Sequence, residues 1–189
     1  MARIGLKGLT YATLSSGGSG SAPSYTGGAT QADMLISADV SLNRDNVKLY
    51  ADDHAVERVN GMNGGTISFE LAKLPNTVKT ALLGYTVSSK VLTVTDAESP
   101  YVGVGYITSE VVGGTKSYVG YWFPKVQFGM DNDSASTKGE STQFQTNSIS
   151  GEILGVQTSA SGPIEYYYTD TDTTETAVRT WLNGKAGIS

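Results

Sequence analysis

The feature that most constrains the fold is a long hairpin pattern in the middle of the chain. Residues 101–112 and 115–128 are rich in β-branched and aromatic side chains, and Gly113-Gly114 between them suits a two-residue primed turn. Pairing outward from that turn sets Val112 against Thr115, Tyr106 against Tyr121, Val104 against Phe123 and Trp122 against Gly105. A large ring over a cross-strand glycine supports such a glycine in a sheet, so the pattern predicts antiparallel β-structure.

Alternating apolar and polar residues predict further strands on both sides of this hairpin. Residues 34–53 alternate on either side of Asn43–Asn46, which predicts a second hairpin turning there, and residues 61–65 predict another turn. Ile67, Phe69 and Leu71 then share one face of the next strand. Strands are also predicted over residues 90–95 and 142–157.

Two segments have the signals of short helices. Residues 74–84 carry Pro75 at a first helical position and Gly84 at the end. Near the C-terminus, Asp172 is a candidate N-cap with Glu175 three residues later, and Gly184 is the predicted end. The apolar stripes of the two helices are Leu74, Val78, Ala81 and Leu82, and Ala177, Val178, Trp181 and Leu182.

These elements predict a mainly β protein, an antiparallel β-sandwich or barrel with one flanking short helix and a C-terminal helix. The length of 189 residues suits one domain with loose arms. We predict a β-sandwich domain over residues 1–160, with a Gly/Ser-rich loop at residues 15–33, and a C-terminal arm with a short helix over residues 161–189.

Composition excludes several classes of function. The net charge is 13 − 18 = −5, whereas phosphate recognition needs clustered Lys and Arg. The chain has no cysteine, so it has no disulfide, thiol nucleophile or zinc–thiolate site. No apolar run suits a signal peptide or approaches the ~20 residues of a membrane span, and we expect synthesis in a cytoplasm.

The segment Tyr50-Ala51-Asp52-Asp53-His54 places two carboxylates beside the only histidine. Its first four letters also occur in the metal-binding hairpin of reverse transcriptases, but that chemistry needs a mixed α/β palm and a basic channel. If this segment is a strand, Asp52 and Asp53 point to opposite faces and cannot share an ion without a bulge or turn. We therefore predict no metal site here.

The remaining candidate chemistry is also weak. The acidic pairs at residues 131–133 and 170–172 are interpreted as turn and cap residues. The chain has no Gly-x-Ser-x-Gly elbow for a hydrolase, and the Gly-rich stretch at residues 17–28 lacks the Gly-Lys-Ser/Thr end of a phosphate loop. We predict no catalytic residue and no cofactor. The tyrosine run 166–168 is either a sugar- or partner-binding platform or a strand that packs against a neighbour.

Several segments, taken in order, resemble the major tail proteins, or tail tube proteins, of long-tailed non-contractile bacteriophages. The resemblance covers residues 3–155 and is most specific in three of its segments. These are "LYADD" (49–53), the helix "LPNTVKTALLG" (74–84) and "TKGESTQFQT" (137–146).

This resemblance implies a β-sandwich with a flanking helix and no enzymatic activity. It implies a virion protein, assembled in the bacterial host cytoplasm, whose subunits form hexameric rings that stack into the tail tube. The implied partners are further copies of the chain and the tape measure, tail terminator and distal tail proteins. DNA would pass transiently down the lumen, and an acidic lumen would not hold it.

Two points stay open at this stage. The 34–53 hairpin is expected at a subunit boundary, because its strands are long and polar on one face and the loop predicted after it, residues 54–65, is long. The candidate interface residues are Asn43, Arg44, Asp45, Asn46, Tyr50, Asp52 and Asp53. The alternative is a carbohydrate- or protein-binding β-sandwich module, which would require several aromatic rings along one exposed groove.

Overall fold

The computed structural model describes residues 2–31, 34–51, 54–130 and 146–188, and these form twelve strands and two helices. The strands are β1 Ala2–Ser16, β2 Ser24–Gln31, β3 Leu35–Ala51, β4 His54–Leu71, β5 Thr86–Ser88, β6 Val91–Thr93, β7 Tyr101–Val112, β8 Thr115–Phe128, β9 Asn147–Ile153, β10 Val156–Gln157, β11 Ile164–Glu165 and β12 Tyr168–Asp172. The helices are α1 Asn76–Leu83 and α2 Glu175–Ala186. The mainly β, antiparallel prediction with two helices is confirmed.

One eight-stranded sheet dominates the molecule. Its path is β2-β1-β7-β8-β9-β4-β3, and β12 also pairs with β8. The same edge of β8 serves two partners, because residues 118–122 pair with β12 and residues 126–128 pair with β9. We call β2, β1, β7, β8 and β12 the helix-covered half of the sheet, and β9, β4 and β3 the bare half.

The two halves enclose the main core. Phe69 of the bare half meets Tyr106 of the helix-covered half edge to face, with 6.0 Å between ring centroids. Helix α1 belongs to the same core, since Val78 and Leu82 are fully buried in it. This helix begins at Asn76, so Pro75 is its N-cap rather than its first residue as predicted. It ends before Gly84, as predicted, and the φ of 74° at Gly84 is left-handed.

The central hairpin has the predicted register. Strands β7 and β8 set Val112 against Thr115, Tyr106 against Tyr121, Val104 against Phe123 and Gly105 against Trp122. Trp122 is 1% exposed and packs in a second core with Ala12, Ile107 and α2 on the outer side of the helix-covered half.

The turns predicted for the β3–β4 hairpin are wrong, and the loop predicted over residues 54–65 is part of β4. Both β3 and β4 run straight through the predicted turns at residues 43–46 and 61–65, which lie opposite each other, with Asp45 paired to Gly61. These residues form a β-bulge, because β4 has one more residue than β3 between the pairs Leu42↔Gly65 and Arg44↔Met62. Gly64 there has a φ of 77°, a conformation that favours glycine.

Other boundaries also moved. Residues 24–31 of the predicted 15–33 loop form β2, because α2 covers this small-residue strand and the Ala186 carbonyl lies 2.6 Å from where a Cβ on Gly28 would stand. Helix α2 is capped by Thr174 and ends at Gly187, so it passes the predicted end at Gly184. The predicted 90–95 strand shortens to β6, and that at 142–157 breaks after β9, with residues 142–145 outside the described part of the chain.

Candidate assembly surface

The β3–β4 hairpin extends well beyond the sheet. Strand β4 pairs with β9 only over residues 65–71, whereas it pairs with β3 as far as Ala51↔His54. We call residues 44–51 and 54–62 the hairpin arm. Eight residues of extended strand correspond to about 27 Å. Among the described residues, neither outer edge of the arm pairs with another strand, so its backbone groups are available for a partner.

The structure places the candidate interface residues in or beside this arm. Asn43, Arg44, Asp45 and Asn46 are exposed and lie where the arm leaves the sheet, in a strand rather than in the predicted turn. Tyr50 pairs with Ala55 near the far end of the arm. Asp52 and Asp53 lie outside the described residues. The alternation that continues through Val47, Leu49 and Ala51 is the signal in the sequence for one longer strand.

The base of the arm is held by specific contacts. The Asn63 side-chain amide donates to the Asp45 carboxylate at 2.9 Å across the two strands. The Tyr166 hydroxyl donates to the Met62 carbonyl at 2.7 Å and ties the C-terminal part of the chain to the arm. The Ile153 carbonyl lies 2.5 Å from where a Cβ on Gly64 would stand, so only glycine fits at this crossing. These contacts fix the direction in which the arm leaves the sheet.

An apolar cleft opens beside the base of the arm, between β3 and the aromatic residues of the helix-covered half. Val40 and Leu42 continue the inward face of β3 yet are each 37% exposed, and Tyr167 across the cleft is 43% exposed. Arg3 covers one end of the cleft, where its guanidinium donates to the Tyr121 hydroxyl at 2.7 Å. The cleft therefore exposes apolar surface next to the outer edge of β3, which pairs with no other strand among the described residues.

The tyrosine run 166–168 is used largely within the subunit. Tyr167 stacks on Phe123 with 5.8 Å between ring centroids, and Tyr168 lies in β12. The Tyr168 hydroxyl donates to the Glu165 carboxylate at 2.5 Å, and burial followed by this bond raises the pKa of Tyr168 above its ordinary value. Within the described residues, these three rings do not form a flat exposed platform.

Two further tyrosines pack between elements, Tyr106 fully buried and Tyr25 partly buried. Burial raises the pKa of Tyr25 to about 12, and its hydroxyl donates to the Pro124 carbonyl at 2.8 Å. Burial likewise raises the pKa of Tyr106 to about 12. Both phenols therefore stay neutral at physiological pH and act as packing groups rather than as acids, and Tyr25 is also a hydrogen-bond donor.

The outer side of the helix-covered half carries cations that lie against aromatic rings. Lys185 lies 4.5 Å from the ring centroid of Tyr168, and Lys116 lies 5.1 Å from that of Tyr118. Lys7 is 5.9 Å from the Tyr118 centroid and bonds Glu175 at 2.6 Å. No local pattern in the sequence indicates this cluster, because its members come from distant segments that α2 brings together.

The first turn of α2 is fixed to β1 by charge. Glu175 accepts from Lys7 and also from Arg179, at 2.6 Å in both cases. The bond from Lys7 and then that from Arg179 hold the pKa of Glu175 below its ordinary value. The Asp172 carboxylate accepts the Thr174 backbone N–H at 2.9 Å, which lowers the pKa of Asp172. The acidic pair Asp170 and Asp172 therefore lies in β12 rather than in a turn, and Thr174 is the N-cap of α2 in place of Asp172.

Other candidate chemistry finds little support. Of the segment Asp52-Asp53-His54, only the backbone of His54 is described, at the start of β4. The acidic pair at residues 131–133 lies outside the described residues. Within residues 2–31, 34–51, 54–130 and 146–188, no three His, Asp or Glu side chains are grouped closely enough to hold a metal ion. In the same ranges, neither helix is long and apolar enough to span a membrane.

Comparison with known proteins agrees with the resemblance seen in the sequence. A search of curated proteins found no match. Among solved structures, the chain is similar to the anti-feeding prophage cap, the tube-terminating cap, at 9% identity and a TM-score of 0.43, over 87% of this chain and 88% of that chain. The profile of the family described as phage tail tube protein matches residues 23–178. Since this match spans most of the sequence, the chain belongs to the phage tail tube protein family.

Proposed function

We propose that copies of this structural tail protein join into hexameric rings and that the rings stack into a tube through which genome DNA leaves the virion. Membership of the tail tube family supports a place in the virion tail. The hairpin arm is the single observation that carries the proposal of self-assembly. A two-stranded hairpin is at best marginally stable in water, so an arm of this length is expected to be stabilised by a neighbouring copy.

The arm also supplies the chemistry of a specific contact. Arg44, Asn46 and Lys48 are exposed along it, while Asp45 bonds Asn63. The same segment of the sequence also contains Tyr50, Asp52 and Asp53, so it carries charges of both signs and an aromatic residue. We propose that Asn43–Asn46, Tyr50, Asp52 and Asp53 belong to this interface. The exposed apolar cleft beside Leu42 is continuous with it.

The other partners follow from the same role. A tube of this family would meet a tape measure protein inside it, a tail terminator at one end and distal tail proteins at the other. DNA would pass through transiently and without sequence preference. We propose no catalytic activity, and we propose that assembly takes place in the cytoplasm of the bacterial host.

Shortening the arm tests the proposal. Asn46 and Asn60 face each other, so residues 47–59 can be replaced by an Asn-Gly turn that keeps the register of β3 and β4. Because both strands are shortened together, the remaining residues of β3 and β4 keep their partners. A deletion of Asn43–Asn46 would instead shorten β3 alone and shift its pairing with β4. We expect the shortened chain to keep its thermal unfolding transition and to lose tube formation in negative-stain microscopy.

The parent chain is the positive control. Tubes or rings should appear as its concentration rises, or after tail-tip complexes are added as initiators, since tube subunits can remain monomeric until they are templated. Tubes formed equally well by the shortened chain would remove the arm from the interface. A parent chain that stays monomeric under both conditions and binds a glycan would favour the binding-module alternative.

A further inference from the structure

A short hairpin that follows α1 carries an unusual amount of exposed apolar surface. We call residues 86–94 the valine hairpin, because Val87, Val91 and Val94 are 45%, 63% and 50% exposed. Its strands β5 and β6 pair over three residues each, and Ser88 lies opposite Val91 next to the turn. A two-stranded hairpin of this size is marginally stable in water, and clustered exposed apolar side chains mark contact sites on soluble proteins. We therefore expect the valine hairpin to be covered in the assembled protein.

Valine side chains lie on both faces of this hairpin. Val87 pairs with Leu92, so the two share one face, and Leu92 packs against the main core. Val91 follows Leu92 by one position in reverse along β6 and therefore lies on the other face. A flat partner could cover only one of these faces, so the end of the hairpin needs a concave site.

The root of the valine hairpin is fixed to the rest of the fold. Before it, Tyr85 is buried in the main core. After it, the Ser99 hydroxyl donates to the Leu83 carbonyl at 3.4 Å, and the Gln127 side-chain amide donates to the Ser99 carbonyl at 3.0 Å. The turn at residues 89–90 has left-handed φ values of 48° and 72°, as in the primed turns of tight hairpins. The hairpin therefore leaves the fold in a defined direction.

The valine hairpin and the apolar cleft lie at opposite ends of β7. The chain passes from the hairpin into the start of β7 at Tyr101. The cleft ends at Arg3, which pairs with Glu110 near the other end of the same strand. The nine residues from Tyr101 to Glu110 span about 30 Å. The hairpin of one subunit is therefore too far from its own cleft to fill it.

The apolar cleft has the size and the chemistry to receive the end of the hairpin. Its volume is about 130 Å³, and an apolar cavity of about 150 Å³ holds a benzene molecule, so one or two valine side chains fit. Val40, Leu42 and Tyr167 line it with apolar surface. The Arg3 guanidinium at its end already bonds the Glu110 carboxylate at 3.2 Å. The cleft therefore favours a hydrocarbon group over an ion.

From this match, and resting on the proposed function, we infer that the valine hairpin of one subunit enters the apolar cleft of a second copy in the adjacent ring. The two surfaces differ, so the contact is heterologous, and its repetition adds copies in one direction instead of closing a dimer. The hairpin arm leaves the sheet beside the same cleft, so the arm and the valine hairpin belong to opposite ends of the subunit. The contact gives the stack a direction, because the hairpin end of each ring meets the cleft end of the next.

Disulfide cross-linking tests this contact, since the chain has no cysteine of its own. Val91→Cys places a thiol on the valine hairpin, and Leu42→Cys places one in the cleft. After oxidation of tubes of the double variant, we expect a non-reducing gel to show linked chains of more subunits than one ring contains. The matched control combines Val91→Cys with Thr176→Cys, an exposed position on α2, and should give no such ladder. The first double variant should also stay unlinked when it is oxidised as a monomer.

The outcomes separate the inference from the proposed function. If the parent chain forms no tubes with or without initiators, the proposed function fails and the inference fails with it. If tubes form and oxidation links no subunits through positions 91 and 42, only the inference fails. Linked chains that stop at the size of one ring would place the contact between neighbours within a ring, which also overturns the inference.

A buried charge gives a second test that needs no cysteine. Val91→Asp would bring an unpaired carboxylate into the apolar cleft, while the control Ala97→Asp adds the same charge in the exposed loop after the hairpin. Each variant changes the net charge from −5 to −5 − 1 = −6. We expect Val91→Asp to raise the protein concentration needed for tubes in negative-stain microscopy by more than about tenfold, because an unpaired charge is costly to bury. The control should assemble like the parent, and both variants should keep the parental thermal unfolding transition. Equal assembly of the two variants would overturn the inference.

Discussion

The two halves of the main sheet share one core but differ on their outer faces. The helix-covered half buries Trp122 beneath α2, whereas the outer face of the bare half presents hydroxyl and carboxylate side chains, such as Ser150 and Asp39, to solvent. On the covered half a small residue such as Gly105 leaves room for a ring, while on the bare half small hydroxyl residues leave the surface open. One sheet can therefore bury side chains beneath a helix in one half and leave the outer face of its other half open to solvent.

The largest difference is expected for removal of an outward side chain from each half. Trp122→Ala deletes a fully buried ring that meets Tyr25 edge to face at 5.4 Å, and should destabilise the fold by about 3–5 kcal/mol. Ser68→Ala on the outer face of the bare half should change the free energy of unfolding by less than about 0.5 kcal/mol. Urea unfolding of the two variants measures both values, and similar losses would contradict the contrast between the halves.

A smaller effect is expected where a methyl group is added. A Cβ on Gly105 would stand 2.6 Å from the Tyr121 carbonyl and 2.9 Å from Trp122 Cε3, so Gly105→Ala should cost about 1–3 kcal/mol. The matched control is Gly61→Ala in the hairpin arm, where no atom lies within 4 Å of the new methyl. Thermal unfolding should show a lower Tm for the first variant only, and an unchanged Gly105→Ala protein would refute the tight packing under Trp122.

The smallest effect concerns the charges that fasten α2. The lowered pKa of Glu175 means that its bonds to Lys7 and Arg179 stabilise the fold above its ordinary pKa of 4.5, and that this contribution is lost as pH falls through the lower folded value. Because the pair is partly exposed, Glu175→Gln should cost no more than about 1 kcal/mol near neutral pH. Urea unfolding at several pH values should show the two proteins converge below pH 4.5, and a difference that persists in acid would assign the effect to packing.

Much of the fold could be predicted where one local signal dominates. The register of β7 and β8 follows from a Gly-Gly turn and strict alternation, and α1 follows from Pro75, Gly84 and one apolar stripe. The turns of the β3–β4 hairpin could not be predicted in this way. Residues 43–46 and 61–65 have the composition of turns, but the two segments lie opposite each other at a β-bulge. Whether such residues form a turn or a bulge depends on which segments pair, and the composition of one segment does not show this.

The surfaces could be predicted less well than the strands. The polar outer face of the bare half depends on the strand order β9-β4-β3, which brings a carboxylate from each strand onto one face. Strand β9 lies more than 70 residues from β4 in the chain, so no local pattern indicates that they are neighbours. The cations around α2 are dispersed in the same way. Sequence alone marked residues 34–53 as long strands that are polar on one face, but it did not predict that they continue into an arm with residues 54–62. It also did not predict which face of the sheet stays bare.

Cryo-electron microscopy of assembled tubes would test whether the subunits assemble through the hairpin arm, because one map shows every contact between neighbouring subunits. We expect stacked rings in which the arm of each subunit lies against a neighbouring copy. Tubes in which the arm touches no other copy would contradict the proposed assembly.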